Sequence, residues 1–354
     1  MTAALLAYCR PGFEGDLANE LQDKAAAVGI YGFARTSAQS GFVLFECYQA
    51  EDADKLLEHL PVQSLVFARQ VFVCKARLDD LDAADRITPL LEACADFPQC
   101  GELRVEYPDT TEGRELSKFC RKFSVPLRQS LKKAAKLSPK ERSDKPVLFM
   151  FFTTSQQAFL GVASPQQISP YPLGILRLKA PSQAPSRSSL KLDEAIQVFL
   201  NKKAQETRLQ GGMQAVDLGA CPGGWTYQLV RRGLFVQAVD NGAMAQSLME
   251  TGQVRYFAED GFKFEPKKKN IHWLVCDMVE QPQRVARLMA SWVLKGWCQE
   301  AIFNLKLPMK RRYESWLQAQ QEIAEQLHTV SYQLQAKHLY HDREEITVHL
   351  RRTG

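Results

Sequence analysis

The stretch Asp217-Leu-Gly-Ala-Cys-Pro-Gly-Gly-Trp225, preceded by the short apolar run Met213 to Val216, decides the reading of this chain. An apolar run ending in Asp, a Gly-rich turn and then Trp-Thr-Tyr-Gln-Leu-Val-Arg-Arg predict strand, tight loop and helix. That is the first βα unit of a nucleotide-binding α/β sheet, where loop glycines let the backbone come close to a ligand. The spacing is not Gly-x-Gly-x-x-Gly, and no Gly-Lys-Ser/Thr follows, which points away from a dinucleotide and from a P-loop triphosphate. An acidic strand end followed by Gly219, Gly223 and Gly224 suits a ligand that brings its own cation and little phosphate, such as S-adenosylmethionine. The competing reading is a tight turn with no ligand.

Downstream, four apolar runs repeat the pattern. Leu234 to Val239 ends at Asp240, Val254 to Ala258 near Asp260, Ile271 to Cys276 at Asp277, and Ala301 to Leu305 at Lys306. In an open α/β sheet ligands bind at the carboxyl ends of the strands. Asp240, about twenty residues past the glycine loop, is placed to accept hydrogen bonds from a ribose diol. Asp260 suits an adenine amino group, and Asp217 the charged end of the donor; capping of a helix or loop competes for each acid. Lys191 opens a predicted helix, Leu190 to Lys203, and Glu345 starts the last predicted strand, Ile346 to Leu350, with Glu344 as its rival. Two lysines aimed with Asp277 at one pocket oppose each other's protonation while the carboxylate favours it. A lysine so poised can accept a proton from an attacking alcohol.

Upstream, residues 1–70 read as β-α-β-β-α, a small sheet with helices on one face. Phe67 to Ala76, Leu103 to Tyr107, Val147 to Phe152 and Gln157 to Val162 add strands, with helices at Ile87 to Cys94 and 111–136. The stretch Ser164 to Ser189 holds five prolines and many serines, and reads as a linker.

The net charge of +5 is unevenly spread. Residues 1–113 sum to −10, residues 114–145 to +8 and the remainder to +7. In the basic block, Phe119, Phe123, Val125, Leu127 and Leu131 interleave with eleven cations, giving a helix one apolar and one cationic side. Arg128, Lys132, Lys133 and Lys136 are its candidate phosphate contacts. A solvated helix face is the bland alternative. With 354 residues the chain is too long for one ordinary core. No apolar run approaches a membrane span and no signal-peptide pattern is expected, since Arg10, Pro11 and Glu14 interrupt the start. Nine unpaired-looking Cys favour a reduced cytoplasm. The scattered His, including His338 and His341, make no metal site.

Ser186-Arg-Ser-Ser-Leu-Lys-Leu, Asp217-Leu-Gly-Ala-Cys-Pro-Gly-Gly-Trp, Cys-Asp277-Met, Leu-Lys306-Leu and Arg343-Glu-Glu-Ile together resemble the FtsJ/RrmJ type of ribose 2′-O-methyltransferase. The resemblance implies a Lys-Asp-Lys-Glu catalytic tetrad at Lys191, Asp277, Lys306 and Glu345. The donor site is then Ser188, Asp217, Gly219, Cys221, Pro222, Gly223, Gly224, Asp240, Asp260 and Asp277. Over its full length the chain is similar to the RlmM family. That implies 2′-O-methylation of a cytidine in the peptidyl-transferase region of 23S rRNA, with S-adenosylmethionine as methyl donor, and a THUMP-type RNA-binding half. The fold expected is a Rossmann-like class I methyltransferase domain at 186–354. It is preceded by a ferredoxin-like α+β subdomain at 1–70, a THUMP-like domain at 71–165 and a linker at 166–185. One departure concerns the pocket wall: Asp277-Met is followed by Val-Glu-Gln-Pro, where simpler members carry Ala-Pro-Asn.

Three other functions compete. An RNA base methyltransferase of the THUMP type would need Asn/Asp-Pro-Pro-Tyr for amino groups or a nucleophilic Cys for C5, and Asp277-Met-Val-Glu with a strand-bound Cys276 offers neither. A non-catalytic rRNA-binding protein would not require the full tetrad. An oxidoreductase lacks its dinucleotide fingerprint.

Overall fold

The computed structural model describes residues 4–353 and divides into two compact units between Leu176 and Arg177. In the first, β1 (Ala4–Tyr8), α1 (Glu14–Ala27), β2 (Gly32–Thr36), β3 (Phe42–Cys47), α2 (Asp52–His59) and β4 (Gln70–Leu78) follow one another. Then come α3 (Ile87–Ala93), β5 (Glu102–Glu106), α4 (Thr111–Glu115), α5 (Ser117–Lys133), β6 (Val147–Thr154) and β7 (Gln157–Ala163). All seven strands form one sheet in the order β2-β3-β1-β4-β7-β6-β5, antiparallel except between β5 and β6. The β1 to β4 portion has the βαββαβ sequence and 4-1-3-2 strand order of a ferredoxin-like fold. β4 pairs with β1 along one edge and β7 along the other, so it joins the halves that the sequence divides at residue 70.

Helix α5 lies on the β5-β6-β7 part of this sheet because its apolar positions fall on one side. Cys120, Leu127 and Leu131 are buried, and Phe119 and Phe123 stack on each other and meet Phe152 edge-on. The Pro- and Ser-rich stretch is bound along its first half. Ile168, Leu173 and Ile175 are buried; Gln70 donates to the Ser169 carbonyl and accepts from its N–H; Leu173 N–H donates to Glu106 at 2.8 Å. Prolines suit such a strap as well as a linker, since both leave the backbone extended.

The second unit contains α6 (Ser189–Phe199), α7 (Lys202–Arg208), β8 (Gln214–Leu218), α8 (Gly224–Val230), β9 (Phe235–Val239), α9 (Gln246–Met249) and β10 (Val254–Phe257). It continues with β11 (Ile271–Cys276), α10 (Pro282–Leu294), β12 (Cys298–Lys306), α11 (Arg312–Gln326), β13 (Tyr332–Lys337) and β14 (Glu345–Arg352). The sheet order is β10-β9-β8-β11-β12-β14-β13: five parallel strands, then β14 antiparallel to β12 and β13 antiparallel to β14. This is the Rossmann-like arrangement expected. Chain direction through the sheet reverses beside β8, which places a crevice at the carboxyl ends of β8 and β11. Leu192, Ala195, Trp225, Leu229 and Trp273 fill the core on the α6–α8 side.

One predicted helix is corrected. Leu190 to Lys203 is not continuous: α6 stops at Phe199, and Asn201, in an extended conformation, caps α7 by accepting the Ala204 N–H at 2.9 Å. An Asn side chain offers the backbone that alternative to helix. Among the described residues no helix is long and apolar enough to cross a membrane.

Candidate active site

The loop after β8 is shaped by what its glycines leave out. Gly219 (φ 77°) and Gly223 (φ 114°) occupy left-handed backbone, where a side chain would also strike Met278 and Leu248 respectively. At Gly224 a Cβ would meet Ser188 Oγ, so the start of α8 rests directly against the turn that opens α6. Ser188 itself lies 3.1 Å from Ser186 Oγ, and Cys221–Pro222 is a cis peptide within the loop.

Asp217 ends up 1% exposed on β8. Its Oδ2 accepts the Thr226 hydroxyl at 2.6 Å, while Oδ1 is buried without a hydrogen-bond partner. Burial, with the nearby Asp277 and Asp240 charges, pushes its carboxyl up to about 7 against the pull of Thr226. A buried acceptor left unsatisfied beside a glycine cradle fits a ligand with a cationic end.

Asp240 and Asp260 come from the ends of β9 and β10. Asp240 holds the loop, Oδ2 accepting Cys221 N–H and Oδ1 accepting Gly242 N–H, both at 2.9 Å. Asp260 Oδ1 accepts Phe262 N–H at 2.9 Å. Each carboxylate therefore performs the loop capping weighed as the alternative, yet both also face one open cleft of about 530 Å³ with Gly219 and Asp277. Second lone pairs on their oxygens leave capacity for a ligand.

Lys191, Asp277, Lys306 and Glu345 meet in a closed ring of alternating charge. Lys191 Nζ lies 3.2 Å from Asp277 Oδ2 and 2.5 Å from Glu345 Oε1. Lys306 Nζ lies 2.5 Å from Asp277 Oδ1 and 2.8 Å from Glu345 Oε2. Glu344 is excluded from the ring, because its carboxylate pairs with Arg312 at 2.7 Å. Sheet register does this sorting: Lys306 and Glu345 are cross-strand partners on β12 and β14. Burial alone would lower the Lys306 pKa, but Asp277 and Glu345 outweigh it and hold the ammonium above its ordinary value. Burial likewise opposes the Glu345 charge, and Lys306 and Lys191 overcome it, so this carboxyl sits below its usual range. Of the two opposing influences expected on this lysine, the carboxylates prevail, since two of them flank it.

Several supporting residues carry no signal in the sequence. One step along the same face of the β12–β14 ladder, Asn304 is paired with Thr347, and the Thr347 hydroxyl lies 2.9 Å from Asn304 Oδ1 and from Asp342 Oδ2. Asp342 is fully buried, and burial with the Glu345 and Glu194 charges raises its carboxyl well above normal. Glu194, one turn after Lys191 on α6, accepts the Tyr340 and His341 N–H groups at 2.9 Å and fixes the loop leading to Glu345. His341 Nδ1 also meets Glu194, and His338 Nε2 meets the Arg343 carbonyl. Cys276, buried in β11, has its thiol pushed up to about 12 by burial, and Cys221 is pushed to about 11, so neither is a thiolate near neutrality.

The basic block of the first unit divides in two. Lys136 is spent on the Phe97 carbonyl at 3.0 Å, Lys132 on the Pro139 carbonyl at 2.7 Å, and Arg128 on Glu141 and the Leu103 carbonyl. Lys133 is exposed, as are Lys118, Arg121 and Lys122 nearer the start of α5.

Three family models match the chain. They are the RlmM ferredoxin-like domain over residues 1–72, ribosomal RNA large subunit methyltransferase M, N-terminal, over 85–164, and FtsJ-like methyltransferase over 184–308. Among curated relatives, the ribosomal RNA large subunit methyltransferase M of Pseudoalteromonas atlantica is 61% identical over 352 residues, covering 99% of each chain. That of Psychromonas ingrahamii is 54% identical, covering 99% of this chain and 96% of its own. That of Photobacterium profundum is 55% identical, covering 98% and 97%. With both its catalytic and its N-terminal regions matched end to end, the chain belongs to the ribosomal RNA large subunit methyltransferase M family.

Proposed function

We propose that this methyltransferase methylates the ribose 2′-oxygen of a cytidine in the peptidyl-transferase region of 23S rRNA, using S-adenosylmethionine. The observation that carries the ribose assignment is the closed Lys191–Asp277–Lys306–Glu345 ring, whose Asp277 also lines the cleft. It holds a lysine that can take a hydroxyl proton once neutral, and no nucleophile for a base carbon.

S-Adenosylmethionine supplies, when bound, a methyl group on a cationic sulfur. Gly219, Gly223 and Gly224 give the backbone room for it, Asp217 supplies the unpaired buried acceptor, and Asp240 and Asp260 face its cleft. Lys191 and Asp277 orient Lys306, whose nitrogen would accept the 2′-hydroxyl proton as the oxygen takes the methyl and the donor's S–CH3 bond breaks to leave S-adenosylhomocysteine. Lys306 reaches its neutral form only when added positive charge in the cleft offsets Asp277 and Glu345. That makes proton removal conditional on a loaded donor site. Holding oxygen and methyl near attack distance contributes the larger part of the acceleration.

Residues 1–70 serve as a ferredoxin-like subdomain and 71–165 as the THUMP-like RNA-binding domain, with the 166–185 stretch connecting them to the catalytic domain at 186–354. Arg128, Lys132, Lys133 and Lys136 lie on its cationic side. An rRNA substrate and nine free thiols favour a reduced cytoplasm. The test is nuclease digestion and nucleoside mass analysis of unmodified 23S rRNA after incubation with protein and donor. 2′-O-Methylcytidine is the expected product; a base-methylated nucleoside, or none, overturns the proposal.

A further inference from the structure

Two large apolar side chains stand out from the surface more than any other among the described residues: Val279 is 88% exposed and Met309 is 80% exposed. Single exposed apolar residues are ordinary on a protein surface. These two are not scattered. Val279 follows Asp277 by two residues and Met309 follows Lys306 by three. Chain reach therefore keeps their Cα atoms within about 7 Å and about 11 Å of those tetrad members. Asp277 and Lys306 are themselves only 2.5 Å apart at their charged ends. Both knobs rim the same reaction centre.

Each is held outward by its neighbours. Met278 turns in against Gly219, and α10 begins at Pro282, leaving Val279 on the outside of the turn and on the wall of the donor cleft. On the other side Leu307 is buried and donates its N–H to the Glu344 carbonyl at 2.7 Å. Pro308 then stiffens the loop, and Met309 projects ahead of two exposed cations, Lys310 and Arg311. Arg311, at φ 59°, turns the chain into α11, and its guanidinium makes a long ion pair, 3.6 Å, with exposed Glu314.

Resting on the ribose-methylation reading, we infer that Val279 and Met309 are apolar jaws that grip the unstacked base of the target nucleotide, while Lys310 and Arg311 take a flanking phosphate of the RNA. The base is joined to the carbon next to the one bearing the reacting oxygen, so a ribose seated on the tetrad places its base against this rim. Apolar contact suits the flat face of a base, and the adjoining cations suit its backbone. Neither jaw carries a hydrogen-bonding group, so they hold the base by shape and leave its identity to be read elsewhere.

The test uses full-length protein and unmodified 23S rRNA. Val279→Ala with Met309→Ala is expected to lower kcat/KM for rRNA roughly 10–100-fold, the worth of burying such side chains, and Met309→Ala alone, which leaves the donor cleft intact, to lower it with S-adenosylmethionine affinity unchanged. Met309→Leu should keep activity and Met309→Gln should lose it. Dimethyl sulfate probing of the complex formed without donor should show altered reactivity at the target base with the wild-type protein and not with the double variant. Ribose methylation by the wild type together with an unimpaired double variant overturns this assignment alone. Base methylation by the wild type overturns the underlying reading and this assignment with it.

Discussion

Lys306 and Glu345 face each other as direct partners across the antiparallel β12–β14 pair, with 2.8 Å between their charged groups. Lys306 is thus aimed by sheet register, which a side-chain change leaves intact. Lys306→Arg should keep the ion pairs and still abolish transfer, because a guanidinium does not give up its proton. Lys306→Ala should slow methyl transfer by roughly 10²–10⁴-fold. Calorimetry should find donor affinity little altered in both, and an active Arg variant would remove Lys306 from proton transfer.

The raised Lys306 pKa also fixes a pH dependence. Its stabilising contribution is complete below the ordinary lysine value of about 10.4 and is lost only as pH rises through the higher folded value. Between pH 6 and 9 the pH dependence of fold stability should therefore owe nothing to this group. Single-turnover transfer, by contrast, should rise with pH toward a factor of about ten per unit, and a flat profile in wild type would contradict a lysine base.

Asp217 has the same sign in a lower pH window. With a folded pKa of about 7, above the unfolded value, its proton favours the folded state; that advantage is complete below about pH 4 and lost as pH rises through 7. Asp217→Asn should raise Tm more at pH 8 than at pH 5. If the anion receives the donor's cationic end, wild-type S-adenosylmethionine affinity should fall below pH 7 and the Asn variant should lose that dependence. Equal pH profiles for the two proteins would separate Asp217 from the donor.

Asp240 carries two loop N–H groups, so its removal acts on the cradle as well as on any ribose contact. Asp240→Ala should weaken donor binding by roughly 1–3 kcal/mol while RNA affinity stays near wild type. Unchanged donor affinity by calorimetry would assign the loop's order to other residues.

On α5 and in the turn after it, the exposed cations and the occupied ones predict different phenotypes. Lys118, Arg121 and Lys122 changed together to Gln should leave Tm near wild type and flatten the salt dependence of RNA binding by about 0.7 in log–log slope for each phosphate left unneutralised. Lys136→Gln should instead lower Tm, because the Phe97 carbonyl loses its donor. A wild-type salt slope in the triple variant would make this helix face merely solvated.

The strand ends, the glycine loop, Asp277 and Lys306 are legible in the sequence because each is fixed locally by an apolar run and then a chemistry-bearing residue, while Lys191 is marked by the Ser-rich turn that opens its helix. Glu345 is not separable there from Glu344, since both precede the same strand and only its register against β12 decides which one faces Lys306. The protonation of Lys306 departs from expectation because distance, not residue type, sets how far two carboxylates outweigh a second lysine. Lys132 and Lys136 count as free charge in the sequence, whereas their carbonyl partners come from chain segments brought near only by folding. β13 is short, but its Tyr332-Gln-Leu-Gln-Ala-Lys337 alternates apolar and polar residues as a half-buried edge strand does.

The double membership of β4 has a practical corollary for anyone dissecting the molecule. Ending a fragment at residue 78 removes β7 and bares the long side of a nine-residue strand whose first five positions are buried. An unpaired edge of that kind invites pairing with another chain. The family's two N-terminal modules are therefore separable in sequence comparison while sharing one sheet, and fragments cut between Leu176 and Arg177 are the ones that keep every strand with its neighbours.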